Sequence, residues 1–254
     1  MMMTNKEMHL KDTHVKDWDR LRAQHLIARN ALEQAGKLNF KRYSSAKWAD
    51  FVVSDRGVMT AKVQHDDVKG VTPEMIQWFF EHLGCVTTWN GVDFSGPAVS
   101  IYHLWHHRDH VAVTPLTDVN GKRNLGFLEG GKSKIHELTN EVNDAIYYEM
   151  ETVELNTHTF TFNVMKNGKA TGHVKHVYAP ADDGCTFYAE TAVGTETGSE
   201  IFNKTIVPKL YSKEAGMQWI AHNIQETGRM QDILPVLYAH QDKVYYDADL
   251  IKFD

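Results

Sequence analysis

Two separated parts of the chain hold residues of the types that bind metal ions. The first, Trp105–His110, contains three histidines and an aspartate directly after a strand-like apolar run. Histidine is the commonest metal ligand, and a nearby carboxylate often accepts the hydrogen bond of its second ring nitrogen. This segment therefore predicts at least one metal-binding imidazole, with a polar loop that carries incidental histidines as the alternative.

The second part is a helical stretch in which His222 and Glu226 lie four residues apart. Side chains at positions i and i+4 project from one face of a helix, so this pair is able to grip one ion. An ordinary surface pair has the same spacing and is the alternative. The pattern differs from the His-Glu-x-x-His signature of zinc proteases, so it does not predict that mechanism.

A further carboxylate for such a site is available in the short strand-like run Ile135–Leu138. Glu137 lies in this run, and Glu141 competes with it four residues later. Neither residue has a distinguishing pattern of its own. Glu137 is therefore a candidate ligand only in combination with the two segments above.

The residues around these groups predict the helices that hold them. Thr72 is a good N-cap, Pro73 suits the first helical position, and an apolar stripe follows, so a helix is expected over Val71–Leu83. A long late helix is expected to begin near Ser212 and to carry the His-Glu pair, with Gly228 as its interruption or end.

Between these helices the sequence consists of short β-like runs. They are Val99–Leu104, Thr152–Val164, Gly172–Tyr178 and Cys185–Val193. Turn signals separate them, and Asn167-Gly168 is a strong signal for a two-residue hairpin. Sequential hairpins followed by one long helix predict an α+β fold with an antiparallel sheet, and a small-molecule cavity is expected between sheet and helix.

Two regions are expected along the chain. Residues 1–84 are predicted to form an N-terminal helical portion, whose amphipathic first half ends near Gly36 and is able to pack against a second subunit. Residues 85–254 are predicted to form the domain that carries the candidate site. A homodimer or a higher homo-oligomer is the expected assembly.

The composition argues against several classes of protein. A net charge of −6 gives no basic footprint for nucleic acid, and no stretch approaches the ~20 apolar residues of a membrane span. Residues 1–16 lack the apolar run of a signal peptide. Cys85 and Cys185 stand far apart, which favours reduced, inert thiols. We therefore expect a cytoplasmic protein without nucleic-acid or membrane partners.

Three motifs, in this order, resemble the 2,4-diacetylphloroglucinol hydrolase family, which includes phloretin hydrolase. The motifs are Gly70–Met75 followed by Trp78 and Phe79, then the Trp-His-x-x-Asp-His pattern of Trp105–His110, then Trp219 followed by His222 and Glu226. The resemblance runs from about Lys69 to Leu237. The order and context of the three motifs make it more specific than any one of them.

The resemblance implies a helix-grip fold of the Bet v 1 type, in which a curved antiparallel sheet wraps around a long C-terminal helix. It also implies zinc bound by two histidines and two glutamates, a donor set that would accept iron or manganese as well. Carried over by position, the metal ligands are His106, Glu137, His222 and Glu226. The implied reaction is hydrolysis of the carbon–carbon bond between an acyl group and a phenolic ring, so the expected substrate is a small phenolic ketone.

The same resemblance suggests residues for the remaining chemistry. Asp109 and His110 are expected to act as acid–base groups toward the ring. Asp109 stands where the family's diacetylphloroglucinol enzyme has an asparagine, which leaves the preferred ring substitution open. A tyrosine and a histidine from later strands line the family's pocket, and the candidates for these positions are His173, His176, Tyr178 and Tyr188.

Two other functions compete with this interpretation. One is a non-catalytic helix-grip protein that binds a hydrophobic small molecule, since a fold does not determine a function. The other is a lyase or cyclase that uses the same cavity without a metal. Convergence of the four predicted ligands on one point would favour the metal enzyme, because a simple binder has no need of it.

Overall fold

The computed structural model describes residues 18–36, 38–139 and 144–247. Its first elements are α1 (Trp18–Ala35), β1 (Trp48–Val53), β2 (Met59–Gln64), β3 (Val68–Lys69) and α2 (Pro73–Glu81). Two local predictions hold here. The Thr72 hydroxyl accepts a hydrogen bond from the Met75 amide and caps α2. Gly36 follows α1 with a φ of 63°, the left-handed conformation typical of a helix end.

The next elements lead into the histidine segment. They are β4 (Val86–Thr87), β5 (Val99–Ser100), α3 (Ile101–Trp105) and β6 (His110–Pro115). The strand predicted over Val99–Leu104 is therefore wrong beyond Ser100. The Ser100 hydroxyl accepts a hydrogen bond from the Tyr102 amide at 3.1 Å, and this N-cap starts a short helix instead.

Five long strands follow: β7 (Lys132–Thr139), β8 (Asp144–Leu155), β9 (Thr159–Lys166), β10 (Lys169–Ala181) and β11 (Gly184–Val193). The predicted run Thr152–Val164 is divided by a turn at Asn156, whose side chain accepts hydrogen bonds from the next amides. Asn167 and Gly168 both have positive φ, as a two-residue hairpin turn requires.

Nine strands form one antiparallel sheet in the order β1-β2-β11-β10-β9-β8-β7-β6, with β3 paired to β11 beside β2. Two short helices, α4 (Glu200–Thr205) and α5 (Val207–Leu210), follow the sheet, and the long helix α6 (Lys213–Ala239) comes after them. Helix α6 contacts β1 and β2 at one end of the sheet and β7 near the other. The sheet therefore curves around α6.

Helix α6 is the longest helix and it begins where the sequence predicts. The Ser212 hydroxyl accepts a hydrogen bond from the Ala215 amide at 3.1 Å. The helix continues through Gly228 and contains Pro235, so the predicted end at Gly228 is wrong. Ile220, Ile224 and further apolar residues of α6 are buried, and this tertiary packing outweighs the weak helix propensity of one glycine.

The N-terminal part of the chain does not form a separate helical portion. Strands β1, β2 and β3 lie before residue 85 and pair within the large sheet, so the sheet crosses the predicted boundary. Helix α1 buries Leu21, Ala28 and Leu32 and contacts α3 and β6 of the same chain. Among the described residues, no helix is both long enough and apolar enough to span a membrane.

Candidate metal centre and cavity

Strand register brings the first two groups of the site together. His110 is the first residue of β6, and its cross-strand neighbour on β7 is Glu137. The register shifts between His110 and Ala112, an irregularity of the kind that redirects side chains near functional sites. His110 Nε2 lies 3.8 Å from Glu137 Oε1.

The long helix supplies the other two groups. His222 and Glu226 are one turn apart on α6, both buried, with His222 Nε2 3.5 Å from Glu226 Oε2. His110 Nε2 lies 3.3 Å from His222 Nε2 and 3.2 Å from Glu226 Oε2. Ligand atoms about 2.0–2.2 Å from a tetrahedral metal are about 3.3–3.6 Å apart, so these spacings match the edges of such a site.

Both histidines are oriented by a partner on their second nitrogen. His222 Nδ1 donates to Asp109 Oδ2 at 2.8 Å, and His110 Nδ1 donates to the carbonyl oxygen of Tyr102 at 2.9 Å. With a proton on each Nδ1, both rings direct Nε2 toward the other ring and toward Glu226 Oε2. Metal-binding histidines are typically held in this way, and either a proton or a metal ion would satisfy the atoms that face one another here.

The Glu226 carboxylate is held by a chain of hydrogen bonds. Asn223 Nδ2 donates to Glu226 Oε1 at 2.5 Å, and His65 Nε2 donates to Asn223 Oδ1 at 2.9 Å. His65 and Asn223 are buried. This chain directs the second carboxylate oxygen, Oε2, toward the two histidines.

The charges within the cluster shift two pKa values in opposite directions. Burial lowers the pKa of His222, but the Glu226 carboxylate and the hydrogen bond to Asp109 outweigh burial and hold that pKa well above its usual value. Burial raises the pKa of Glu226, whereas His222 and His110 outweigh it and bring the pKa to about 2. Without a metal the cluster thus favours a positive charge between its members.

His106, the histidine that the family resemblance assigns to the metal, lies outside this cluster. Its Nε2 donates to Gln225 Oε1 at 2.9 Å, and its Nδ1 accepts from the Asp109 amide at 3.1 Å. Both ring nitrogens are therefore occupied, and the ring stacks on Phe40. His110, which the resemblance assigns to acid–base chemistry, is the histidine that lies beside Glu137, His222 and Glu226.

Asp109, predicted as an acid–base group, lies between His222 and His106. Its carboxylate holds His222 Nδ1 and lies 3.7 Å from His106 Nε2. These three residues also lie close enough together to hold a cation. That grouping is the weaker candidate, because it would need the nitrogens of His106 and His222 that already donate to Gln225 and Asp109.

A large cavity of about 1160 Å³ opens beside the cluster, between α6 and the concave face of the sheet. Glu137, His222 and Glu226 line its wall together with Tyr102. The rest of the wall is mainly apolar and aromatic and includes Trp105, Phe127, Phe160, Phe162 and Trp219. A space of this size and lining suits an aromatic or otherwise apolar small molecule.

Four strand residues are expected to contact the substrate, and the alternation of side chains along each strand places them on different faces of the sheet. His176 lines the cavity, buried between Phe80 and Phe160, and its Nδ1 has no hydrogen-bond partner among the described residues. Burial lowers the pKa of His176 to about 4, so the ring is neutral near neutral pH. A neutral imidazole on this wall is available to a bound polar group.

The other three do not line the cavity. His173 and Tyr188 lie on the outer face, where both bond to Glu190, so the prediction that they bind substrate is wrong. Residues of a strand alternate between the two faces, and these two alternate with inward-facing neighbours. Tyr178 is buried on the inner face, but its hydroxyl donates to the Asn156 carbonyl oxygen at 2.6 Å.

Sequence reasoning missed Tyr102, Asn223 and His65. The Tyr102 ring stacks on His110 with centroids 3.9 Å apart, and its hydroxyl donates to Glu137 Oε1. Burial, and then the charge of Glu137, raise the pKa of Tyr102 well above its usual value, so the hydroxyl stays protonated. Tyr102 lies eight residues before His110, and no periodic pattern in the sequence links the two residues. The turn between α3 and β6 brings them together. Glu141, the competing glutamate, lies outside the described residues.

No protein-family model and no curated protein matches the chain. Solved structures do match. Protein Ms6760 from Mycobacterium smegmatis is 10% identical over 76% of this chain and 98% of its own, with a TM-score of 0.41. CalU16 from Micromonospora echinospora is 11% identical over 81% of this chain and 93% of its own, with a TM-score of 0.38.

A third match is the di-domain ARO/CYC BexL from the BE-7585A biosynthetic pathway. It is 9% identical over 71% of this chain and 51% of its own, with a TM-score of 0.41. At these identities and TM-scores the likeness carries no argument about function, so the proposal below depends on the geometry of the site.

Proposed function

We propose that this protein is a metal-dependent hydrolase that cleaves the carbon–carbon bond between an acyl group and a phenolic ring. The observation that carries the proposal is the convergence of His110 Nε2, His222 Nε2 and Glu226 Oε2 within 3.2–3.5 Å of one another. Glu137 stands next to them, and all of this lies at the wall of a large apolar cavity. A protein that only binds a small molecule gains nothing from such a cluster.

The residues fit a metal with two nitrogen and two oxygen ligands. His110, Glu137, His222 and Glu226 would hold it, with Asp109 and the Tyr102 carbonyl as the partners that fix the two rings. We propose zinc, and the same donors accept iron or manganese. A catalytic zinc supplies a water of lowered pKa and polarises a carbonyl oxygen.

The chain's own groups would position the substrate and move protons. The Tyr102 hydroxyl donates its proton to Glu137 at the cavity wall, so its oxygen would accept a hydrogen bond from a hydroxyl of the substrate. The neutral imidazole of His176 is a second polar group on the wall, suited to a phenolic hydroxyl. The overall reaction adds one water: the acyl carbon gains the oxygen and leaves as a carboxylic acid, and the ring carbon gains a proton.

The fold we propose for this chemistry is the helix-grip fold of the Bet v 1 type. The antiparallel sheet that curves around α6, with the cavity between them, supports this assignment. A homodimer or higher oligomer, a cytoplasmic location, and a phenolic ketone as substrate are parts of the same proposal. They derive from the sequence and its family resemblance.

A second candidate function, binding of an apolar small molecule without catalysis, is favoured by the cavity alone. Its volume of about 1160 Å³ and its aromatic wall need no metal to accommodate a ligand. The two candidates differ in whether the cluster binds metal and whether that metal is needed for turnover.

The test measures metal content and activity in three matched proteins: wild type, His110→Gln and His106→Gln. We expect about one zinc per wild-type chain after dialysis, loss of zinc in His110→Gln, and retention in His106→Gln. Hydrolysis of acylphloroglucinols should follow the zinc content. A wild-type protein that takes up no zinc, iron or manganese would exclude the hydrolase and leave the binding protein.

A further inference from the structure

A second cavity, of about 350 Å³, lies on the other side of the histidine segment from the large one. The C-terminal part of α1, the connection that follows it and the turn after α3 form its wall. Its polar lining includes Arg29, Glu33, His107 and Arg108, and Phe40 forms an aromatic side. None of these residues lines the large cavity, so the second cavity is separate from the candidate metal centre.

Three guanidinium groups surround His107. The pKa of His107 is lowered to about 3, mainly by burial and then by the charges of Arg229, Arg108 and Arg29 in that order. Arg229 and Arg108 also both stack on the Phe40 ring, with their Cζ atoms 4.5 Å and 4.4 Å from its centroid. Positive charge is therefore concentrated around the cavity. Glu33 is the one carboxylate among the described residues that line it.

Arg229 is the most unusual of the three, because its side chain is fully buried. Its Nη2 donates to His107 Nδ1 at 3.1 Å, but its Nε and Nη1 have no hydrogen-bond partner. Within the described part of the chain no carboxylate lies within 4.0 Å of it, although Asp232 influences it from farther away. A buried cation without a close counter-charge is costly, and although Arg229 does not itself line the cavity, an anion beside His107 would offset part of that cost.

The contact with Arg229 also determines the form of His107. Because arginine only donates hydrogen bonds, His107 Nδ1 accepts, and the neutral ring carries its proton on Nε2. Nε2 is then a donor on a residue of the cavity wall. The Arg29 and Arg108 guanidinium groups are further donors on this wall. Among the described residues, the one carboxylate that these donors meet is Glu33, which pairs with Arg29 at 2.9 Å.

We propose that this second cavity is a binding site for a small oxyanion, a carboxylate or a phosphate. Arg108 and Arg29 would hold its oxygens by charge-assisted hydrogen bonds, His107 would add a neutral donor, and buried Arg229 would contribute its charge from behind His107. This site does not depend on the proposed hydrolase activity, and the experiments that test the two proposals are independent.

The test is calorimetric titration of the full chain with inorganic phosphate at constant ionic strength, the balance being chloride. We expect saturable binding at one site, and binding about tenfold weaker or more in Arg108→Gln, since a charge-assisted hydrogen bond is lost. Arg123→Gln is the matched control, because Arg123 is also exposed, stacks on Tyr246 at 4.1 Å and does not line this cavity. It should bind phosphate like the wild type.

Parallel titrations with acetate and malonate distinguish the two sources of oxyanion. Tighter binding of malonate than phosphate assigns the site to carboxylates, and the reverse assigns it to phosphates. Absence of saturable binding for all three at millimolar concentrations would overturn the proposal. Equal phosphate affinity in the wild type and in Arg108→Gln would overturn it as well.

Discussion

His106 and His110 lie four residues apart, yet their ring nitrogens serve different partners. The proton on His106 Nε2 is committed to Gln225, while His110 keeps its proton on Nδ1 and directs Nε2 toward His222. The chemical role of each histidine therefore depends on which nitrogen its neighbour requires. The family pattern Trp-His-x-x-Asp-His contains two candidate metal ligands, His106 and His110. The hydrogen bonds of their ring nitrogens favour His110.

Asn223 is the residue whose removal should best reveal how Glu226 is positioned. In Asn223→Ala the carboxylate loses the donor to Oε1, and we expect zinc affinity to fall about tenfold to a hundredfold, as for other partners of metal ligands. Competition with a chromophoric zinc chelator measures the affinity. Asn223→Asp keeps the shape but replaces a donor with an acceptor, so it should weaken binding at least as much.

His65 provides the control for that experiment. His65→Gln retains a donor toward Asn223 Oδ1 and should keep most of the zinc affinity, whereas His65→Ala should lose part of it. If Asn223→Ala binds zinc as tightly as the wild type, the Glu226 orientation does not depend on this chain of hydrogen bonds. A normal unfolding transition in each variant separates a positioning effect from misfolding.

At the scale of elements, α6 carries the helix pair of the site and closes the cavity. Its start depends on one side chain, the Ser212 hydroxyl that accepts from the Ala215 amide. We expect Ser212→Ala to lower the free energy of unfolding by about 1 kcal/mol, the usual effect of losing an N-cap. Urea denaturation monitored by circular dichroism measures the change.

Ser44, exposed in the 3-10 turn Tyr43–Ser45, is the matched control for this substitution. Ser44→Ala should change the free energy of unfolding by less than about 0.5 kcal/mol, as is usual for surface positions. Equal effects of the two substitutions would show that the Ser212 cap does not stabilise α6. Zinc content should be the same in both variants, because neither side chain contacts the cluster.

For the whole molecule, buried neutral histidines determine the response to acid. Six of them have pKa values lowered to about 3 or 4, with burial as the largest cause; they are His25, His65, His103, His107, His136 and His176. An unfolded histidine has a pKa of about 6.5, so below that pH the unfolded state binds more protons than the folded state. Stability is therefore full above about pH 6.5 and falls as the pH drops toward 4.

We expect the zinc-free protein to lose several kcal/mol of unfolding free energy between pH 7 and pH 5, since each such group contributes up to about 1.4 kcal/mol per pH unit. His222, whose pKa is raised, acts in the opposite sense and offsets part of this loss. Urea denaturation at both pH values tests the expectation. His176→Phe removes one titrating ring from an aromatic site and should make the pH dependence shallower.

A stability that stays constant or rises on acidification from pH 7 to pH 5 would contradict this account. It would mean that the buried rings already carry protons in the folded state. The comparison must use protein treated with a chelator, because metal release at low pH would otherwise add its own loss of stability.

Local sequence signals were sufficient for several elements and for half of the site. The Thr72 and Ser212 caps, the Asn167-Gly168 turn and the one-turn spacing of His222 and Glu226 all appear in the structure as predicted. Each depends on residues at most four positions apart. Backbone conformation and helix periodicity determine such features, and both can be read from a short window of sequence.

Only the tertiary structure decided which groups meet. The β6–β7 register places Glu137 opposite His110, strand alternation turns His173 and Tyr188 outward, and β1 to β3 join the sheet across the predicted boundary. A change of one residue in register reverses every side chain of a strand, and no local signal determines that register here. The choice of His110 over His106 likewise depends on Gln225, 119 residues away along the chain from His106. Packing between distant segments determines these contacts, so the sequence names the candidates and the fold selects among them.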